Sequence, residues 1–157
     1  MENNHKKYML EAIQLSHENI KNGGGPFGAI IVKGNEIVSA EANSVTNDND
    51  PTAHAEVNAI RKACAKLGTV DLSGCIIYTS CEPCPMCLGA IYWAHIDKVF
   101  YANTKTDARN IGFDDSLIYN EMALPIDRRS IEFLRLLPDE ALKVFADWNK
   151  MDNKIKY

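Results

Sequence analysis

Apolar residues recur at helical spacing across residues 5–22. Tyr8, Met9, Ala12, Ile13, Leu15 and Ile20 stand among polar neighbours, which predicts an amphipathic helix. Gly23-Gly24-Gly25-Pro26 ends it. The period then changes. Residues 27–33 (F-G-A-I-I-V-K) read as a strand, Gly34-Asn35 turns the chain, and residues 36–42 return as a hairpin partner. Residues 44–52 are polar and loop-like. A helix is predicted from about His54 to Leu67, closed by Gly68. A strand at 75–79, a helix at 84–94 and a strand at 98–102 follow. Residues 104–116 read as a polar loop, 116–122 as a short helix, and Pro125 as a break. The run Ile131-Glu132-Phe133-Leu134 fits a last strand, and 138–150 a final helix with Pro138 in its first turn. Helices alternating with apolar strands after an initial hairpin predict a layered α/β domain with a mixed sheet. No repeat, low-complexity tract or linker divides the chain, so one domain is expected over 1–157.

Composition narrows the classes. At 157 residues, 46% hydrophobic and 24% charged, the chain has the makings of a folded core and not of a disordered segment. A net charge of −4 counts against a nucleic acid partner. No apolar run approaches a membrane span. The start, Met-Glu-Asn-Asn-His-Lys-Lys, shows no apolar signal region. The five cysteines are odd in number, and Cys81, Cys84 and Cys87 crowd into seven residues. That favours metal binding in a reduced compartment over a disulfide framework. The expectation is a soluble, cytoplasmic protein.

The crowded cysteines are where chemistry first shows. The apolar strand 75–79 delivers C-E-P-C-P-M-C at its end, where a helix begins. Cys84 and Cys87 are three apart and share a helix face. They lie at its N-terminus, where the dipole and free N–H groups favour thiolate. Upstream, Pro51-Thr52-Ala53-His54-Ala55-Glu56 offers an imidazole and a carboxylate. His54, Cys84 and Cys87 form a three-donor zinc set, with zinc the default for thiolate and imidazole. A catalytic zinc site keeps a fourth position open, whereas a structural one closes it, and Cys81 is the residue able to close it. Glu56 is the natural acid/base. The bland alternatives are a His54 satisfied by backbone and an exposed first-turn Glu56. Cys64 and Cys75 read as small buried hydrophobes, and His5, His17 and His95 as surface or structural residues.

H-x-E followed by P-C-x-x-C is the signature of zinc-dependent nucleobase deaminases. The resemblance extends beyond it. G-G-P-F-G-A-I-I-V-K, N-D-P-T-A-H-A-E-V-N-A-I-R-K-A-C, Y-T-S-C-E-P-C-P-M-C-L-G-A-I-Y-W-A, G-F-D-D-S and the terminal K-Y resemble bacterial guanine deaminases of the cytidine-deaminase fold, essentially end to end. The resemblance implies a three-layer α/β/α fold with a five-stranded mixed sheet. It implies zinc-dependent hydrolysis of guanine to xanthine and ammonia. It also implies a homodimer in which the C-terminal segment, about 125–157, is exchanged and caps the partner's site.

Carried over by residue, His54, Cys84 and Cys87 hold zinc, Glu56 shuttles protons, and Asp115 is a second acid. Asn43 hydrogen-bonds the purine, Phe27 and Trp93 bound the ring, the Ala55 N–H faces it, and Tyr157 arrives from the exchanged tail. Simpler roles stand beside these: a helix cap for Asp115, core positions for Phe27 and Trp93, a turn for Asn43 and a frayed end for Tyr157. Rival activities are a guanosine or other nucleoside deaminase, a tRNA adenosine deaminase, a cytosine deaminase, and a non-catalytic zinc-stabilised module using Cys81.

Overall fold

The computed structural model describes residues 2–156, with side chains from residue 4. The chain forms two compact units, Met1–Asp115 and Ser116–Tyr157.

The first unit holds the sheet. Its elements in order are α1 (Glu2–Lys21), β1 (Gly28–Lys33), β2 (Glu36–Ala42), α2 (Val45–Asp48), α3 (Ala55–Leu67), β3 (Cys75–Cys81), α4 (Pro85–Trp93), β4 (Lys98–Asn103) and α5 (Lys105–Asn110). The strands lie in the order β2-β1-β3-β4. β1 runs antiparallel to β2 and to β3, and β3 runs parallel to β4. The sheet is mixed, as predicted.

Period-2 alternation sorts its residues onto two faces. Ala29 and Ile31 of β1 and Cys75 and Ile77 of β3 pack with Ala55, Ala59 and Ala63 of α3 and Ile91 of α4. The residues between them, Ile30, Val32 and Tyr78, pack with Tyr8 and Ala12 of α1. Because both faces are covered, β1 reads as a continuous apolar run. The α1 layer sits close: a Cβ at Gly28 would collide with the Ala12 carbonyl and the Leu15 side chain. Gly68 ends α3 at φ 66°, in the left-handed region, as its position in the sequence predicts.

Four expectations need correction. The sheet has four strands among the described residues, not five. Residues 131–137 are irregular, and Ile131, Phe133 and Leu134 are exposed. An apolar run becomes a strand only where a ladder partner accepts it, and alternation alone does not supply one. Within the polar stretch 44–52, α2 makes a single turn that ends on Asn49 at φ 51°. Within 104–116, α5 forms behind a reciprocal cap in which Thr104 and Asp107 each accept from the other's backbone N–H.

The second unit comprises α6 (Ser116–Ala123), one 3-10 turn (Ile126–Arg128) and α7 (Pro138–Lys150). Both helices fall where the pattern puts them. The Glu121 carboxylate accepts from Ser130 N at 2.7 Å, and the Arg129 guanidinium lies 5.3 Å from the Phe133 ring. None of the unit's described residues is buried. No described helix of the chain is long and apolar enough to cross a membrane.

Candidate active site

Two helix N-termini build the site. His54 takes the N-cap position of α3 with extended backbone. The loop before it is tied down. Asp50 Oδ1 accepts from the Thr52 N–H at 2.8 Å and the Thr52 hydroxyl at 2.7 Å. Asn58 Nδ2, one turn into α3, donates to Ala42 O and Ser44 Oγ, both at 3.0 Å. Cys84 takes the N-cap position of α4, also extended, with Pro85 opening the helix. Leu88 N donates to Cys84 O at 2.8 Å, the first bond of that helix. Cys87 follows within the first turn and is fully buried.

His54 Nδ1 lies 3.5 Å from Cys84 Sγ and 3.5 Å from Cys87 Sγ. The three donor atoms fall within 4.8 Å of one another. Tetrahedral zinc with ordinary Zn–N and Zn–S bonds sets an N···S edge of about 3.5 Å, so the donor set fits that ion in both chemistry and spacing. Cys81 stands apart. Its thiol donates to Thr104 O at 3.7 Å, and burial pushes its pKa up to about 11. A closed four-donor site through Cys81 therefore finds no support.

The sulfurs are unequal. Hydrogen bonding from Cys87, and then from His54, holds the Cys84 thiol down to about 4 against its burial. Bonding to Cys84 together with burial pushes the Cys87 thiol up. The Cys84 contact raises the His54 imidazole pKa.

Glu56 is 6% exposed, and burial raises its pKa. Its Oε1 accepts from the Thr79 hydroxyl at 3.1 Å, and its Oε2 faces Cys87 Sγ at 3.5 Å. The carboxylate and the three donors are therefore together. Ala55 is buried beside them. Its N–H belongs to the first-turn donors for which a helix offers no acceptor of its own.

Phe27 and Asn43 form a neighbouring pair. Asn43 N donates to Phe27 O at 3.0 Å, and the amide of Asn19 donates to Gly25 O at 2.8 Å and Asn43 O at 2.7 Å. Asn43 Oδ1 accepts from Val45 N at 3.4 Å, the turn role also foreseen for it. Phe27 meets Phe113 edge to face at 4.9 Å. Phe113 belongs to the G-F-D-D-S segment, as does Asp115. Asp115 is half-buried; its pKa is raised first by that burial, and the Cys84 charge adds to the effect.

Trp93 ends α4 and is 67% exposed. Helix rise puts it about 12 Å along the axis from Pro85. Tyr157 lies outside the described residues. Sequence reasoning missed Thr79, Asn19 and Phe113. Thr79 carried one signal, a polar residue set within the apolar run of β3.

The chain belongs to the cytidine and deoxycytidylate deaminase family: the family model described as the cytidine and deoxycytidylate deaminase zinc-binding region matches residues 2–103. Within that class it is 53% identical to the guanine deaminase of Bacillus subtilis (strain 168) over 155 residues, 98% of this chain and 99% of that one. The X-ray structure of guanine deaminase from Bacillus subtilis superposes with a TM-score of 0.95 at 52% identity, covering 98% of each chain. The tRNA-specific adenosine deaminase of Aquifex aeolicus (strain VF5) is 45% identical over 98 residues, 62% of this chain and 65% of that one.

Proposed function

We propose that this chain is a zinc-dependent deaminase that hydrolyses guanine to xanthine and ammonia. One observation carries the choice of base. The likeness to the Bacillus subtilis guanine deaminase holds at 53% identity through 98% of the chain, whereas tRNA-specific adenosine deaminases match 62% of it at 45% identity or 96% of it at only 27%. The net charge of −4 also suits a small base better than a polyanion.

His54, Cys84 and Cys87 hold the ion. Zinc, when bound there, supplies a Lewis acid that activates water at neutral pH. Glu56 moves the protons. As the water oxygen bonds to C2 of guanine, Glu56 takes one proton and passes it to the adjacent ring nitrogen. As the C2–N bond breaks, the remaining hydroxyl proton goes to the departing amine, which leaves as ammonia. Asp115 serves as a second acid at this step, dividing work that one carboxylate would otherwise do by moving. Phe27 and Trp93 bound the ring, Asn43 hydrogen-bonds its edge, and the Ala55 N–H faces the reacting carbon.

The same reading takes the chain as one deaminase domain whose segment from about 125 to 157 is exchanged in a homodimer, bringing Tyr157 to the partner's site. The exposed apolar residues of the second unit, Leu136 at 82% and Phe145 at 71%, support a covering surface of this kind. Five free cysteines, two of them zinc donors, support a reduced, cytoplasmic setting.

The test is ammonia release by zinc-loaded protein from guanine, guanosine, adenine, cytosine and cytidine side by side, with His54→Ala as control. Turnover of guanine alone is expected. Preference for guanosine keeps the mechanism and adds a ribose pocket. Silence on all five overturns the reading and directs the assay to tRNA.

A further inference from the structure

Glu56 must aim its carboxylate at a reacting atom, yet its helix does not aim it. Residues two apart lie on different sides of a helix, so the turn that presents His54 does not by itself present Glu56. The side chain is held from the opposite direction, by β3. Thr79 is 1% exposed, its ladder partners are Ala29 on β1 and Tyr101 on β4, and its side chain points to the α3 face of the sheet. Its hydroxyl lies 3.1 Å from Glu56 Oε1 and 3.0 Å from Cys81 O. Both are acceptors, so the single hydroxyl proton is drawn to the two of them and the rotor is fixed. The β-branched Cβ restricts χ1 as well. With Oε1 held, Oε2 is left facing Cys87 at 3.5 Å.

We infer that Thr79 is a positioning residue: its hydroxyl orients the Glu56 carboxylate for proton transfer, a role beyond the ligand and acid/base set. The inference rests on the deaminase reading of Glu56. It has a structural logic. β3 supplies the anchor of the carboxylate and, through the loop that follows, the thiolate arm of the site. One rigid strand thereby sets the distance between proton carrier and donor set.

The test pairs Thr79→Val, which keeps the shape and removes the hydroxyl, with Thr79→Ser, which keeps the hydroxyl. In the zinc-loaded enzyme, Thr79→Val is expected to lower kcat roughly 10- to 100-fold, as small misplacements of a catalytic group do, with KM and zinc content nearly unchanged. Thr79→Ser is expected to recover most of the loss. A crystal structure of Thr79→Val should show the Glu56 carboxylate turned from Cys87. A valine variant with kcat within about twofold of wild type, a serine variant as slow as the valine one, or an unmoved carboxylate each overturns the inference. If Thr79→Val does not fold, Thr79→Ala against Thr79→Ser makes the same contrast. Failure of the wild type on guanine would sink the substrate reading alone. The kinetic comparison then moves to whichever base it does hydrolyse, and the carboxylate pose decides where there is none.

Discussion

Residues up to Asp115 and those after it use apolar side chains in opposite ways. The first unit buries them in two clusters, one on each face of the sheet. The second is richer in leucine, isoleucine, phenylalanine and tryptophan, yet none of its described residues is buried. The first region has its driving force for folding inside itself, in area removed from water. The second has a surface that gains by being covered. The family match stops at residue 103, while the likeness to the Bacillus subtilis guanine deaminase continues through the tail. The region that carries the family match is thus the one with an apolar core of its own.

Breaking the donor set should have the largest effect and leave the tail untouched. His54→Ala is expected to reduce bound zinc, measured by elemental analysis, to background and to abolish ammonia release, with the oligomeric state unchanged. Asp115→Asn comes next: about 10²- to 10⁴-fold slower turnover with zinc retained. Near-normal rate would remove Asp115 from the chemistry and leave the helix-cap role.

The tail is probed by Leu136→Glu and Phe145→Glu. Covering such side chains contributes about 1.5–3 kcal/mol each, so each change should weaken the dimer roughly ten- to a hundredfold. Light scattering would read the shift toward monomer. A wild type already monomeric at micromolar concentration would end the exchange proposal.

The smallest effect is local to the first unit. The hydroxyl and N–H of Thr104 hold the Asp107 carboxyl below its ordinary range. A carboxyl so lowered stabilises the folded state above its unfolded value, and that contribution is lost as pH falls through the folded value. The Tm advantage of wild type over Asp107→Asn should be present at pH 7 and shrink as pH drops below about 4. A constant gap would contradict the cap.

Much of this was legible in the chain because it is set by short spacings. Gly68, Pro85, the P-C-x-x-C run and H-A-E fix helix ends and faces within one or two turns, so His54, Cys84 and Cys87 could be grouped from sequence. The T-x-x-D cap at 104–107 was equally local and was overlooked. What stayed hidden depends on pairing. Thr79 looks like any strand threonine until register turns it toward Glu56. Asn19 looks like helix surface until the glycine loop folds back beneath its amide. The run 131–134 alternates like a strand but lacks a ladder.

The register of β3 has one more consequence. Tyr78 fills the α1 face, where its ring stacks on Phe100 at 5.1 Å and its hydroxyl meets His5 Nδ1 at 2.6 Å. Thr79, the next residue, serves the other face. A one-residue slip against β1 would put a phenol where the hydroxyl belongs and bury a threonine among aromatics. Such a chain would lose its packing and the hydroxyl that holds Glu56 in the same stroke. Turnover per folded molecule is therefore a proofreading signal for the sheet itself.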